Sequence, residues 1–453
     1  MENDLNVTDK EIRSRLRTYT EVDKQFWSFR TGASRDQINS IFQYPAMMVP
    51  RMQERLIDLM VEVVPNTRRL FEPFVGAGTV MVGAMKNRLD FTGQDINPLA
   101  ILLCKAKSGP FFYDALREQS NVVVDLIKSD RKTNIEADFR GLKKWFRQDV
   151  ATDLSKIRRS IRKERQIWCR RFYWVALAET VRLTSNSRTT TFKLHMRPPE
   201  EIRAVHSSPR EIFSQVVEKN LKRLITQKQV LVNNAALKRG RYVGDIRLRL
   251  RDTSAANLES PERGKGHYDL LVSSPPYGDN KTTVPYGQHS FLPLQWIDLA
   301  DISEDLDHHW ISSTHEIDSR SLGGSLRKSL DNQSAFSRSA SLRRTIRGLD
   351  RLSNDGQRRV SAFWRDLDRC LEQIVQVMKP GAYMIWTVGN RRVGGSPIPM
   401  DKILEELLTT YGAQIVDRFK RPIPTKRMAR KNNFASTMCS EKVLIFRTAV
   451  RGK

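Results

Sequence analysis

The chain has 453 residues, 39% of them apolar, which is enough to bury one large core or two modest ones, and a globular fold is expected. Its 77 Lys+Arg against 51 Asp+Glu give a net charge of +26, an excess that phosphate backbones reward more often than any other partner; a merely basic protein, or one drawn to anionic membranes, is the plainer alternative. No apolar run reaches the roughly 18 residues of a membrane span, and four scattered cysteines (Cys104, Cys169, Cys370, Cys439) form no Cys-x-x-Cys pair, against a zinc ribbon or a disulfide framework.

The start, Met1-Glu2-Asn3-Asp4, lacks a positive stretch followed by an apolar one, so a cytoplasmic chain is expected. Residues 1–40 are read as an N-terminal polar segment of weak periodicity. After Tyr44-Pro45, the residues Met52, Leu56, Leu59, Met60 and Val63 recur at helical spacing. A strand, Arg69-Leu70-Phe71, runs into Glu72-Pro73-Phe74-Val75-Gly76-Ala77-Gly78-Thr79, and Val80, Val82, Ala84 and Met85 read as the next helix. A second strand over 91–94 delivers Asp95, followed by Ile96-Asn97-Pro98 and an apolar helix over 99–104. The order βαβα predicts a parallel sheet.

Residues 110–240 interrupt that pattern with long basic helical segments. They include Lys143-Lys144-Trp145-Phe146-Arg147 and the stretch 156–171, interleaved with Trp168, Phe172, Tyr173 and Trp174. This reads as an inserted recognition region, or, on the plainer view, as solvated helical faces around ordinary core aromatics. Strands return at 246–251 and 268–273, the latter stopped by Ser274-Pro275-Pro276-Tyr277-Gly278, where two prolines forbid further laddering. Residues 301–354 hold a Ser/Arg-rich stretch, densest over 312–347, expected to be an insertion: a mobile loop or a phosphate-contacting lid. A helix over 360–378 with a Lys379-Pro380-Gly381 stop, a buried strand over 382–388, a helix over 403–408 and strands at 414–416 and 442–446 close the chain. Residues 41–109, 241–300 and 355–453 are thus expected to build one doubly wound α/β sheet.

Gly76 and Gly78 allow a sharp turn where a ligand can approach the main chain. A dinucleotide fingerprint would place a third glycine at 81, where Met81 stands, so a pyrophosphate is not expected. Asp95 is placed to accept hydrogen bonds from two ribose hydroxyls, and together these features suggest a nucleoside ligand without phosphates; read structurally, they are a tight turn and a helix-capping acid. The tip after the fourth strand adds chemistry. An exocyclic amine is a poor nucleophile because its lone pair is delocalised, so a site must hold its hydrogens with acceptors and aim the nitrogen. Ser274 Oγ and the Pro275 carbonyl suit that task, Pro276 stiffens the tip, and Tyr277 offers a stacking face; the structural alternative is a proline turn capping a strand.

The three motifs, residues 71–79, 94–100 and 273–278, resemble those of the amino-group DNA methyltransferases, most of all the cytosine-N4 members, whose catalytic motif usually begins with serine. The resemblance covers about 40–110 and 245–300 well and 360–447 loosely. It implies a Rossmann-like methyltransferase sheet, S-adenosylmethionine as cofactor and double-stranded DNA as partner, and it admits a cognate restriction endonuclease. It implies cofactor contacts at Tyr44, Glu72, Pro73, Phe74, Gly76, Gly78, Thr79, Asp95 and Ile96, and catalytic roles for Ser274, Pro275, Pro276 and Tyr277. Glu72 departs from the family's usual aspartate. A third contact, to the cofactor's adenine, falls on Asp245 or Asp252, with Asp252 favoured at the end of the third strand. Adenine-N6 or RNA guanine-N2 methylation uses related motifs, and a catalytically silent nucleic-acid-binding protein is the reading from another class. Cytosine-C5 chemistry needs a nucleophilic cysteine, usually after proline, and no Pro-Cys occurs. His308, His309, His315 and Glu316 carry no zinc signature, and no metal site is expected.

Overall fold

Successive strand residues point to opposite faces, so a strand buried on both sides must be apolar at every position. Leu70 and Phe71, then Leu270 and Leu271, meet that demand: Leu70, Leu270 and Val272 join one buried cluster while Phe71 and Leu271 join another. They belong to a seven-stranded sheet in the computed structural model, which describes residues 2–29, 37–45, 47–204, 208–254, 258, 266–280, 283–326, 334–350, 354–423 and 440–450. Its strands are β1 (Arg69–Glu72), β2 (Asp90–Asp95), β3 (Ile246–Leu250), β4 (Tyr268–Ser273), β5 (Met378–Val388), β6 (Gln414–Pro422) and β7 (Ser440–Arg447), in the order β6-β7-β5-β4-β1-β2-β3. β1 pairs in parallel with β2 and β4, β2 with β3, and β4 with β5; β7 runs antiparallel to β5 and β6. The mostly parallel α/β sheet with helices on both faces is the expected fold class. Met378 pairs with Tyr268 before a register shift, so the turn residues Lys379-Pro380-Gly381 are absorbed as an irregularity and the strand starts earlier than the sequence suggests.

The register of β1 on β4, with Leu70 opposite Leu270 and Phe71 opposite Leu271, ends both strands at the same edge. At the opposite edge Asp269 locks the alignment: its Oδ2 accepts from the backbone N–H of Arg68 and Arg69 at 3.0 and 2.9 Å, and Oδ1 accepts from the Lys379 ammonium at the start of β5. The face holding Leu70 is covered by helices α1 (Glu2–Val22), α2 (Pro50–Val63), α3 (Thr79–Lys86) and α4 (Pro98–Lys107), and beyond them by α5 (Tyr113–Ser129), α6 (Gln148–Arg162), α7 (Ile167–Thr184), α8 (Pro209–Asn233) and α9 (Tyr286–Leu294). The other face is covered by α10 (Ala340–Asp350), α11 (Asn354–Val377) and α12 (Met400–Thr410). No described helix is long and apolar enough to cross a membrane.

Two segments differ from expectation, and in a third the aromatics match the plainer of its two readings. Residues 2–22, read as a polar segment, form α1, which buries Ile12 and Leu16 and sets Asp9 under the sheet. The described parts of the Ser/Arg-rich stretch are helical turns and helices packed on the sheet's outer layer: Ser339 and Ser341 hydroxyls donate to Glu406, and Arg338 pairs with Asp368 at 2.9 Å. Residues 327–333 and 351–353 of that stretch, and Cys439, lie outside the described residues. In the insertion, Phe172, Tyr173 and Trp174 are core residues, and four arginines of 156–171 pair with acids: Arg158 and the exposed Arg162 with Asp298, Arg159 with Asp130 and Glu136, and Arg170 with Asp301, while Arg165 stays exposed. Lys143 and Lys144 are exposed.

Asp9 accepts from the Tyr383 phenol at 2.9 Å and from Arg447 Nε at 3.0 Å, and Asp9 and Arg447 are 5% and 4% exposed. Removing one partner of such a pair strands the other charge. Asp9→Ala is expected to lower the urea-unfolding free energy by about 3–5 kcal/mol, and Tyr383→Phe by only about 1 kcal/mol. A loss below 1 kcal/mol for Asp9→Ala would show that α1 is not anchored through this pair.

Candidate active site

At the carboxyl edge of β1 the chain turns through Gly76 (φ 48°) and Gly78 (φ 76°) into α3. A Cβ at 78 would lie 2.7 Å from Cys104 Sγ, so α4 packs against a position only glycine can fill. The turn is held from two sides. Gly76 N–H donates to Asp95 Oδ2 at 2.8 Å, and below it Lys107, 1% exposed, donates to the Ala77 carbonyl at 2.6 Å and to Asn39 Oδ1 at 3.3 Å. Burial lowers the Lys107 ammonium to about 8. Asp95 Oδ1 also accepts from Asn97 N–H at 2.8 Å. The Ile96 N–H adds to these donors, and since a carboxylate has about four acceptor positions, at least one remains for a hydroxyl donor. Burial lifts Asp95 to about 6 against those backbone donors.

Glu72, at the last position of β1, is fully buried, and neither of its carboxylate oxygens has a hydrogen-bond partner among the described residues. Burial and the neighbouring Asp95 hold its carboxyl well above the usual range. An unsatisfied buried carboxylate is costly, and its natural complement is a cationic donor group entering between Glu72 and the glycine turn. Pro73 and Phe74 continue the turn; the Pro73 carbonyl accepts from Thr253 Oγ1 at 2.8 Å, and Gln94 Nε2 donates to the same Thr253 oxygen at 2.7 Å, which ties the loops after β1, β2 and β3 together. Thr79 opens α3 and is buried, and Ile96 is half-buried beside Asp95.

Asn97 joins the next layer and was not singled out from the sequence. Its Oδ1 caps α4 by accepting from Leu99 N–H, while Nδ2 donates to the Tyr44 hydroxyl at 3.0 Å and to Ser290 Oγ at 2.8 Å. Tyr44 faces the ring of Tyr286 at 5.7 Å, and its Cε1 lies 3.7 Å from where a Cβ on Gly76 would stand. Tyr44, Asn97, Tyr286 and Ser290 therefore wall the glycine turn. The Asn97-Pro98 pair gave a capping signal; Tyr286 and Ser290, some 190 residues on, gave none.

Of the two candidate third acids, Asp245 sits before β3 at the amino edge, its carboxylate on Arg247 at 2.7 Å, whereas Asp252 follows β3 at the carboxyl edge, half-buried, accepting from Ser254 N–H and Oγ at 2.8 Å. The register of Asp95 on Leu250 puts Asp252 on the side of the glycine turn and Asp245 on the far side.

Ser274, Pro275, Pro276 and Tyr277 leave β4 beside the end of β1. Pro275 is buried and the other three are half-buried. Ser274 Oγ donates to the Tyr277 hydroxyl at 3.2 Å, and Tyr277 donates to Glu441 Oε1 at 3.0 Å. Burial, with the Glu441 carboxylate next to it, pushes the Tyr277 phenol well up. Behind the tip Asp279, 1% exposed, meets Arg359 and Arg391, and Arg391 donates to the Tyr277 carbonyl at 3.4 Å. The arrangement offers, on one sheet edge, an unpaired carboxylate, a carboxylate with a spare acceptor position, an open main-chain turn and a hydroxyl on a stiff tip.

No family model matches the chain. It is 31% identical over 468 aligned residues to the type II methyltransferase M.MvaI of Kocuria varians, an alignment that takes in 98% of this chain and 99% of the relative. Among solved structures, the rRNA methyltransferase aviRa of Streptomyces viridochromogenes superposes with a TM-score of 0.31 and 8% identity over 93% of this chain and 94% of that one, too loosely to bear on the site.

An acid raised on folding binds a proton that the unfolded chain has released, so it costs stability that accumulates as pH rises from the ordinary carboxylate range towards the folded value and vanishes below that ordinary range. Glu72→Gln is therefore expected to make the ligand-free protein more stable at pH 8, by about 1–3 kcal/mol, with the difference closing as the pH is lowered. Thermal melts across pH check this; a variant less stable than the parent at pH 8 would mean that the Glu72 carboxylate is satisfied.

Proposed function

The chain belongs to the type II methyltransferase family, and we propose that it transfers a methyl group from S-adenosylmethionine to the exocyclic N4 amine of cytosine in double-stranded DNA. The observation that carries this reading is the juxtaposition of Glu72, unpaired and buried, with Ser274-Pro275-Pro276-Tyr277 on adjacent parallel strands.

The residues fit the cofactor. Glu72 would take its ammonium, the Gly76 and Gly78 main chain and Thr79 its approach, Asp95 with Ile96 its ribose, Asp252 its adenine, and Tyr44, Pro73 and Phe74 its remaining wall. When bound, the cofactor supplies a sulfonium methyl open to attack by nitrogen. Ser274 and the Pro275 carbonyl act as acceptors that hold the amine and aim its lone pair, Pro276 keeps the tip rigid, and the Tyr277 ring stacks on the base turned out of the duplex. Residues 41–109, 241–300 and 355–453 carry this chemistry. DNA contact is assigned to the insertion, 110–240, where Lys143 and Lys144 stand exposed in a chain of net charge +26. Serine at position 274 is what favours cytosine N4 over adenine N6 or guanine N2. A cognate restriction endonuclease is a natural companion of such an activity.

Ser274→Ala and Tyr277→Ala are each expected to cut methyl transfer by about a hundredfold or more while calorimetry shows cofactor binding retained. Mass spectrometry of nucleosides from modified DNA should give N4-methylcytosine; another methylated base would move the assignment to that base, and unchanged turnover in both variants would remove the site. Burial lifts Asp95 to about 6, and its ionised form accepts from hydroxyls more strongly than the neutral acid, so cofactor affinity should weaken as the pH falls from 7 to 5. Affinity indifferent to pH between 5 and 8 would take Asp95 out of the cofactor site.

A further inference from the structure

Ser and Tyr hydroxyls each donate one hydrogen bond and accept others, so neither fixes the direction of a hydrogen-bond chain. The chain from Ser274 to Tyr277 does not end on a hydroxyl. It ends on Glu441, the second residue of β7, which stands opposite Arg421 in the antiparallel register with β6. Arg421 is 2% exposed, its Nε lies 3.0 Å from Glu441 Oε2, and its Nη1 reaches Met52 Sδ at 3.5 Å. A guanidinium is always charged and a carboxylate paired with it accepts and never donates. Tyr277 must then donate to Glu441, which leaves the phenol oxygen to accept from Ser274, which in turn leaves only lone pairs on Ser274 Oγ for whatever enters the cleft.

We infer that Glu441 is a positioning residue for methyl transfer: paired with Arg421, it sets the polarity of the Ser274–Tyr277 chain so that Ser274 meets the target amine as an acceptor. This rests on the reading of Ser-Pro-Pro-Tyr as the amine-binding tip. The direction matters because a serine free to rotate could aim its own O–H at the amine nitrogen and occupy the lone pair that has to attack the methyl carbon. With its proton committed to Tyr277, Ser274 draws on an amine N–H instead and leaves that lone pair free. The raised Tyr277 phenol keeps its proton throughout the working range, so the polarity does not lapse with pH. Burying an ion pair is seldom the cheapest way to stabilise a sheet edge, which suits a pair kept for what it orients.

The test uses the full chain, tritiated S-adenosylmethionine and unmethylated phage DNA long enough to contain many sequence contexts. Glu441→Gln keeps the shape but adds a donor that can reverse the chain; kcat is expected to fall roughly tenfold to a hundredfold with KM for cofactor and DNA unchanged. Tyr277→Phe, which keeps the stacking ring and the ion pair, is expected to lose a similar factor, and the double variant no more than Tyr277→Phe alone, since the chain is already cut. A wild-type kcat in either single variant, or losses that multiply in the double, would overturn the role of Glu441. Should Glu441→Gln fail to fold, Tyr277→Phe alone decides, because its intact ion pair leaves only the broken chain to account for the change. No transfer by the unaltered chain would instead strike down the amine-methylation reading, and the positioning role with it.

Discussion

The parallel pairing of β1 with β4 is the constraint on which the site depends. It joins residues two hundred positions apart, Leu70 to Leu270, and its register is set at the amino edge by Asp269, which takes the backbone N–H of Arg68 and of Arg69 at the start of β1 and the Lys379 ammonium together. One residue of slip would exchange the faces of Leu70 and Phe71 and turn an apolar side chain where Glu72 now stands. With the register fixed, Glu72 and Ser274 emerge from neighbouring strands at the same edge. The apolar clusters on both faces then hold Glu72 in a position that no hydrogen bond stabilises, which is the usual way strain and desolvation are kept at a working site.

What was legible in the sequence was local. Two-faced burial writes itself into consecutive apolar residues such as Leu70-Phe71 and Leu270-Leu271-Val272, and a turn that only glycine can make shows as Gly76 and Gly78, so the sheet and the loop after β1 could be read directly. The Pro-Pro pair marked the end of β4 because it cannot donate to a ladder. Illegible were the features whose partners are remote and polar. The helix Glu2–Val22 buries few apolar residues, and what fixes it is Asp9 on Arg447, 438 residues away. The serines of the Ser/Arg-rich stretch read as loop composition, yet Ser339 and Ser341 close on Glu406, which no local pattern announces. Asn97, Tyr286, Ser290 and Glu441 escaped notice for the same reason: each is ordinary in its own segment and meets its partner on another.

The charge shows a similar division. Read as a tally, the arginines of 156–171 look like a surface for phosphate, but Arg158, Arg159, Arg162 and Arg170 are all spent on carboxylates. Several of those acids lie just past α9, where Asp301 also accepts from the indole of Trp174 at 2.7 Å. The acids were visible in the sequence as a local excess between 298 and 307, but nothing there indicated that the basic run 130 residues earlier would fold onto them.

That clamp changes how the insertion relates to the chemistry. Asp298 and Asp301 follow directly on α9, and α9 carries Ser290 and Tyr286 to Asn97 and Tyr44 over the glycine turn. Arg170 on Asp301 and Asn97 on Ser290 are short polar contacts at either end of this segment, and α7 and α9 share one apolar cluster with β1. A region attached this way cannot shift independently of the wall around the Gly76 turn: moving α7 by even an ångström would break the bonds of 2.6–2.7 Å that Arg170 and Trp174 make to Asp301. Substitution is therefore tolerable on the exposed residues of the insertion and costly at the clamp, because the chain segment that carries the clamp's acids follows the helix that walls the Gly76 turn.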